Sequence, residues 1–169
     1  YPRTDARALP EDYVATVPGI LGALPYVYNA HATEILKRGW VKPNKRIFNN
    51  AKVSDHFAII PTGTEPKNLT EAEHKIYDLV TKRFLAVFFP AAEFQVTVRI
   101  TRVENEAFKT EGKVLVNSGW MAVYGKEAAL EGEEATGSLV PVKPGESSTT
   151  EDIRVKASQT KPPARYNEA

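Results

Sequence analysis

The chain has 169 residues, 42% of them hydrophobic and 25% charged, with a formal net charge of +1 and no cysteine. That is enough for one domain or two small ones with a buried core, and the missing thiols exclude disulfides, zinc–cysteine centres and cysteine nucleophiles. No apolar run approaches the roughly 20 residues a membrane-spanning helix needs, and the near-neutral total selects no polyanionic partner by itself. The charge is nonetheless uneven. From Tyr1 to His56 stand Arg3, Arg7, Lys37, Arg38, Lys42, Lys45, Arg46 and Lys52 against Asp5, Glu11, Asp12, Glu34 and Asp55, whereas from Glu127 to Asp152 seven acids face only Lys143.

Leu9-Pro10-Glu11-Asp12 reads as a helix start, with proline in the first turn and acids beside it. Pro18-Gly19 should break or kink that helix. Leu24-Pro25 opens a second helix to about Arg38, which Gly39 stops. Residues 40 to 68 read as loop, punctuated by Lys42-Pro43-Asn44-Lys45, Asn49-Asn50 and Pro61-Thr62-Gly63. Thr70-Glu71-Ala72-Glu73 is a capping box. Ile76, Leu79, Val80, Phe84, Val87 and Phe88 then recur at helical spacing as one apolar face, expected to be core, until Pro90 ends the helix.

At Phe94 the period changes from 3.6 to 2. Phe94, Val96, Val98 and Ile100 alternate with Gln95, Thr97, Arg99 and Thr101, the pattern of a half-buried strand. Glu104-Asn105-Glu106 turns the chain into a second strand, Ala107 to Val116. About Glu127 to Thr150 is acidic and rich in Gly and Ser, hence exposed loop, and Ile153, Val155 and Ala157 alternate once more. The fold class expected is α+β: a helical part to about residue 90, then antiparallel β.

Two groups of residues could carry chemistry. In Tyr1-Pro2-Arg3-Thr4-Asp5, proline holds Tyr1 extended, and an extended Arg3 would share its side of the backbone. A phenol with pKa near ~10 is a weak nucleophile at neutral pH. A fixed guanidinium lowers the cost of the phenolate and can hold two phosphate oxygens as charge gathers on them. The ordinary alternative is a surface aromatic. In Ser54-Asp55-His56-Phe57-Ala58-Ile59-Ile60-Pro61-Thr62, His56 is either packed with its ring bonded or a donor to a phosphate oxygen. His31 and His74 fall on helices with no motif around them, and the histidines and acids show no metal-ligand spacing.

Together, Tyr1-Pro2-Arg3-Thr4-Asp5 and Asp55-His56-Phe57-Ala58-Ile59-Ile60-Pro61-Thr62 resemble the type IA DNA topoisomerases, and more their topoisomerase III branch than the topoisomerase I branch. Asn68-Leu69-Thr70-Glu71, the helix to Phe89, Gly119-Trp120 and Gln159-Thr160-Lys161-Pro162-Pro163-Ala164-Arg165-Tyr166 have counterparts in the same order. Phe57 departs from the second histidine common there. The resemblance implies a fragment beginning at the catalytic tyrosine. Residues 1–91 would belong to the helical tyrosine-bearing domain, and residues 92–169 to the β-rich arch, ending at a junction to the next domain.

By the same resemblance, Tyr1, Arg3 and His56 are catalytic: the nucleophile that forms a 5′-phosphotyrosine, its positioning arginine, and a phosphate-contacting histidine. Arg3, Thr4, Arg7 and His56 would contact DNA, while Thr4 and Asp5 shape the turn, Asp5 by bonding nearby amides. The implied partners are single-stranded DNA and the remaining domains of the same protein, with no membrane and no small-molecule substrate. Mg²⁺ would be held by a domain outside this chain, and none is expected here. The activity implied is cleavage and religation of one DNA strand without ATP, relaxing or decatenating DNA in a bacterial cytoplasm at the nucleoid, with the fragment alone inactive. The patterns of tyrosine recombinases and nicking nucleases do not appear. The alternative from another class is a non-catalytic single-strand-binding module, which should show exposed aromatics along a β face.

Overall fold

The computed structural model describes residues 4–125, 139–155 and 157–160. The chain divides into two units, residues 1–139 and 140–169. The first holds three α-helices, α1 (Tyr13–Gly22), α2 (Asn29–Arg38) and α3 (Glu71–Ala86), and two strands, β1 (Glu93–Val103) and β2 (Glu106–Asn117). Short 3-10 turns lie at Tyr26–Tyr28, Asn50–Lys52 and Gly119–Val123. The α+β class is borne out. No helix among the described residues is long and apolar enough to cross a membrane.

α1 begins at Tyr13, after a turn in which the Pro10 carbonyl accepts the Tyr13 amide (3.1 Å). Of the break or kink expected at Pro18, the break does not occur: the helix runs through to Gly22. Proline removes a single hydrogen bond, the one to residue 14. The buried side chains Val17, Ile20 and Leu21 hold the turn in place through packing, which supplies most helix stability in proteins. α2 stops where expected. Gly39 takes the left-handed conformation (φ 62°, ψ 39°), and the Trp40 amide reaches back to the Ile35 carbonyl (3.1 Å).

α3 opens on the capping box. Thr70 Oγ1 accepts the Glu73 amide (3.4 Å), and the Glu73 carboxylate accepts the Thr70 amide (2.8 Å). Substituting such a cap costs about 1 kcal/mol. The expected apolar face needs correction, however. Ile76 and Leu79 are each 63% exposed and Val87 is also exposed, while the side buried is Thr81, Phe84, Leu85, Ala86 and Phe88. The C-terminal half of α3 therefore forms the core with Leu9, Val17, Leu21, Ile35 and Phe48 among others, and from the first half Tyr77 packs against it. The core partners decide which part of an apolar stripe is covered, and periodicity does not report them.

Near the exposed half, the buried Tyr28 hydroxyl donates to Asp78 Oδ1 (2.9 Å), and Lys82 pairs with the same carboxylate (2.7 Å). Burial, then the Asp78 bond, raises the Tyr28 phenol well above its ordinary pKa. This tyrosine is therefore a protonated tie between the start of α2 and α3, not a reactive group. One turn on, the Thr81 hydroxyl is fully buried with no hydrogen-bond partner. An unpaired buried hydroxyl costs about 1–3 kcal/mol, and valine keeps the β-branched shape. Thr81→Val is thus expected to stabilise the chain by about 1 kcal/mol, read as a rise in the denaturant midpoint at unchanged slope. A lower midpoint would mean that the hydroxyl is paired in solution.

β1 and β2 form an antiparallel hairpin around a tight turn at Glu104-Asn105, with Val103 opposite Glu106 and Phe94 opposite Leu115. Glu104 takes φ 54° to close that turn. The strands are where their alternation put them, but β1 is not half-buried. Val96 is 57% exposed, and Phe94, Val98 and Ile100 are exposed with it. The register explains part of this. It sets Val96, Val98 and Ile100 opposite Lys113, Glu111 and Lys109, so β2 offers that face charged side chains. Lys109 pairs with Glu111, and the Lys113 ammonium lies over the Phe94 ring (4.2 Å).

The hairpin is anchored at its base. The Trp120 amide donates to the Pro90 carbonyl (2.9 Å), and Gly119 (φ 47°) sits so close to the Pro90-Ala91 backbone that no side chain fits. Val123 then enters the core.

In the second unit, residues 140–150 are exposed and irregular apart from a turn at 144–145, which bears out the expected loop there; residues 127–138 of that expectation lie outside the described residues. Ile153 and Val155 form no strand and are exposed. An alternating segment without a neighbouring strand has no ladder to join, and among the described residues of this unit there is none.

Candidate functional site

Tyr1 and Arg3 lie outside the described residues; Thr4, Arg7 and His56 are described. The Thr4 hydroxyl donates to the Phe57 carbonyl (2.8 Å) across 53 residues of sequence and accepts the Ala6 amide (3.1 Å). Four residues on, the Ala58 amide donates to the Ala8 carbonyl (3.0 Å). These bonds lay the segment that follows Tyr1-Pro2-Arg3 directly against the segment that carries His56. Thr4 shapes the turn as expected, its hydroxyl taking the Ala6 amide.

The other flank of the same segment is fixed as firmly. The Leu9 amide donates to the Ile47 carbonyl (2.7 Å) and the Asn49 amide to the Leu9 carbonyl (2.8 Å), an isolated parallel bridge at Leu9 and Phe48. Both Leu9 and Phe48 are buried. Residues 4–9 are therefore strapped between two loops that sequence alone could describe only as irregular. Phe57, given no chemical weight from the sequence, turns out to matter for placement: its ring lies 4.8 Å from that of Tyr13 on α1, and its carbonyl receives Thr4. No local signal in the sequence marks that contact.

His56 is exposed, as is Arg7. The packed alternative for His56 is thereby removed, and its ring is available to a ligand from solvent. His31 instead lies edge-on to Phe89 (5.8 Å), a packing contact, and His74 is an exposed helix residue. Lys42, Arg46 and Lys52 are exposed on the loops that follow α2. Among the described residues no group of three or more His, Asp or Glu could hold a metal ion. These residues do not fit a Mg²⁺ site.

Such an arrangement, an exposed imidazole beside the segment that follows a phenol and a guanidinium, suits the handling of a phosphodiester. Comparison with known proteins gives the family. A family model described as DNA topoisomerase matches residues 1–169. The chain belongs to the DNA topoisomerase family. It is similar to DNA topoisomerase 3 of Bacillus licheniformis (43% identical over 173 residues, 99% of this chain) and of Bacillus cereus (42% over 177 residues, 100% of this chain). DNA topoisomerase 3 of Bacillus subtilis is 40% identical over 174 residues. The chain spans 24% of the length of each of these relatives. The likeness to the topoisomerase III branch carried by the Tyr1 and His56 motifs is borne out.

The hairpin bears on the alternative of a non-catalytic single-strand-binding module. Its exposed aromatics do not line one face. Phe94 is opposite Leu115 and Phe108 is opposite Thr101, positions of opposite parity on β1, so the two rings point to opposite sides of the sheet. No stacking platform results.

Proposed function

We propose that this chain supplies the strand-cutting phenol of a type IA topoisomerase. Tyr1 Oη attacks a backbone phosphorus of single-stranded DNA. A tyrosine O–P bond forms, the P–O3′ bond breaks, and the electron pair leaves on the 3′ oxygen, which takes a proton while the phenol loses its own. The new 5′-phosphotyrosine keeps the bond energy, so the reverse attack by the 3′-hydroxyl religates the strand without ATP. Arg3 holds the phosphate oxygens and favours the phenolate, and His56 donates to the same phosphate. Arg7 would contact the strand beside it, with residues 1–91 as the tyrosine-bearing domain and 92–169 as part of the arch. Single-stranded DNA is the substrate, the rest of the full-length protein supplies the metal and the opposing side of the gate, and the full-length activity is relaxation or decatenation.

The observation that supports this best is the 2.8 Å bond from Thr4 to Phe57, which joins the two motifs in a chain of the DNA topoisomerase family. The test is label polarity. When full-length protein cuts an oligonucleotide labelled at one end, the 3′ label should stay linked to protein and the 5′ label should be released on a fragment ending in 3′-hydroxyl. Linkage of the 5′ label would overturn the mechanism. In the same assay His56→Ala is expected to lower cleavage about a hundredfold, as for loss of one donor to a developing oxyanion. Because His56 is exposed, the thermal transition should not move. Unchanged cleavage would leave His56 no catalytic role.

A further inference from the structure

Beside the strapped segment lies a cleft of about 400 Å³ lined by Glu11, Val14, Pro43, Asn44, Lys45 and Phe48. Its lining is mostly apolar, and several of its polar groups are bonded within the protein. Lys45 pairs with Glu11 (2.5 Å), Asn44 Oδ1 accepts the Arg46 amide (2.9 Å), and the Glu11 amide is held by Asn50 Oδ1 (2.9 Å). The Lys45 bond and charge hold the Glu11 carboxyl below its usual pKa, so the pair is charged but mutually neutralised. The walls are fixed as well. The Ile47 and Phe48 amides both return to the Asn44 carbonyl (2.9 and 2.7 Å), and the Leu9–Phe48 bridge ties the loop to the segment behind Tyr1. Outside the cleft, Lys42 and Arg46 flank the lining residues in sequence and are exposed.

We infer that this cleft receives one nucleobase of the single strand whose phosphate Tyr1 attacks, a subsite that rests on the function proposed above. A flat, uncharged ring suits a mostly apolar lining with a neutralised rim, while the exposed Lys42 and Arg46 complement the phosphates on either side. The Leu9–Phe48 bridge ties the cleft's loop to the segment that begins at Tyr1, and the eight residue steps from Tyr1 to Leu9 reach at most about 28 Å. At ~3.4 Å per stacked nucleotide, the base held lies within about eight nucleotides of the cut.

Full-length protein would be titrated with a fluorescent 20-nucleotide strand in which one abasic site is walked along the sequence. Loss of a base from an apolar cleft weakens binding by about tenfold, so one position within about eight nucleotides of the cut should show that step. Val14→Trp fills the cleft and should weaken the intact strand by a similar factor while removing the step. Lys45→Glu, at an exposed position that should tolerate substitution, is expected to do the same should the tryptophan variant not fold. A flat abasic profile, or a step that survives either folded variant, overturns the subsite. Label polarity on the same protein keeps the two readings apart. A 3′-linked adduct with a flat profile removes the cleft alone, and a step without that adduct removes the transesterification alone.

Discussion

Tyr1→Phe in the full-length protein is expected to abolish the covalent protein–DNA adduct, with cleavage reduced at least about 10⁴-fold, while strand binding stays within a few fold. Phenylalanine keeps the ring and removes only the attacking oxygen, so the loss falls on the chemical step and not on recognition. The assay separates denatured protein with linked label from free DNA, and a binding titration on the same variant supplies the comparison. Adduct persisting in the Phe variant would remove Tyr1 as nucleophile. Among the described tyrosines, attention would then pass to Tyr26, which is 89% exposed, since Tyr77 is half-buried against Tyr28. Tyr28 is buried and bonded to Asp78, Tyr13 packs on Phe57, and Tyr124 packs on Trp120. Only an accessible phenol can reach a backbone phosphate.

Gly119→Ala is expected to destabilise the chain by about 3 kcal/mol, the sum of left-handed strain and a forced backbone shift. A Cβ at that position would lie 2.5 Å from the Pro90 carbonyl oxygen and closer still to Ala91 O, both backbone atoms, and φ is 47°. At this size the thermal midpoint should fall by roughly 10 °C. Gly39→Ala provides the control. Gly39 has a similar φ of 62°, and nothing lies within 4 Å of the place its Cβ would take, so it carries the strain without the clash and should lose only about 1 kcal/mol. Equal losses at the two glycines would show that the Pro90–Trp120 contact is not tight in solution. The contact matters beyond stability, because the chain leaves α3 for the hairpin at Pro90 and returns at Gly119, and this contact sets where the hairpin departs.

Local rules were legible wherever the determining atoms are close in sequence. The Thr70-Glu73 box, the left-handed stop at Gly39, the turn at Glu104-Asn105 and both strands are nearest-neighbour physics, and each is found. The break offered at Pro18 does not occur, because burial of Val17, Ile20 and Leu21 outweighs one lost hydrogen bond. The local rule failed on the apolar stripes. Ile76 and Leu79 in α3 and Val96 to Ile100 in β1 have faultless periodicity and are exposed, because period reports a face and not what covers it.

For the site the division is similar. The identity of the reacting residue types could be read from Tyr1, Arg3 and His56 together with their motifs, and the family follows from the same residues. The choice between a packed and an available His56 could not be read. It depends on the Tyr13–Phe57 ring contact and on Thr4 reaching the Phe57 carbonyl 53 residues away. Sequence by itself determined the elements, the caps and the chemical character of the two motifs, all set by covalent neighbours. The tertiary structure alone decided which apolar faces are covered, that residues 4–9 run strapped between the loops at Phe48 and Phe57, and that His56 stands in solvent beside them. Those outcomes depend on contacts between distant parts of the chain, whose energies no local pattern encodes.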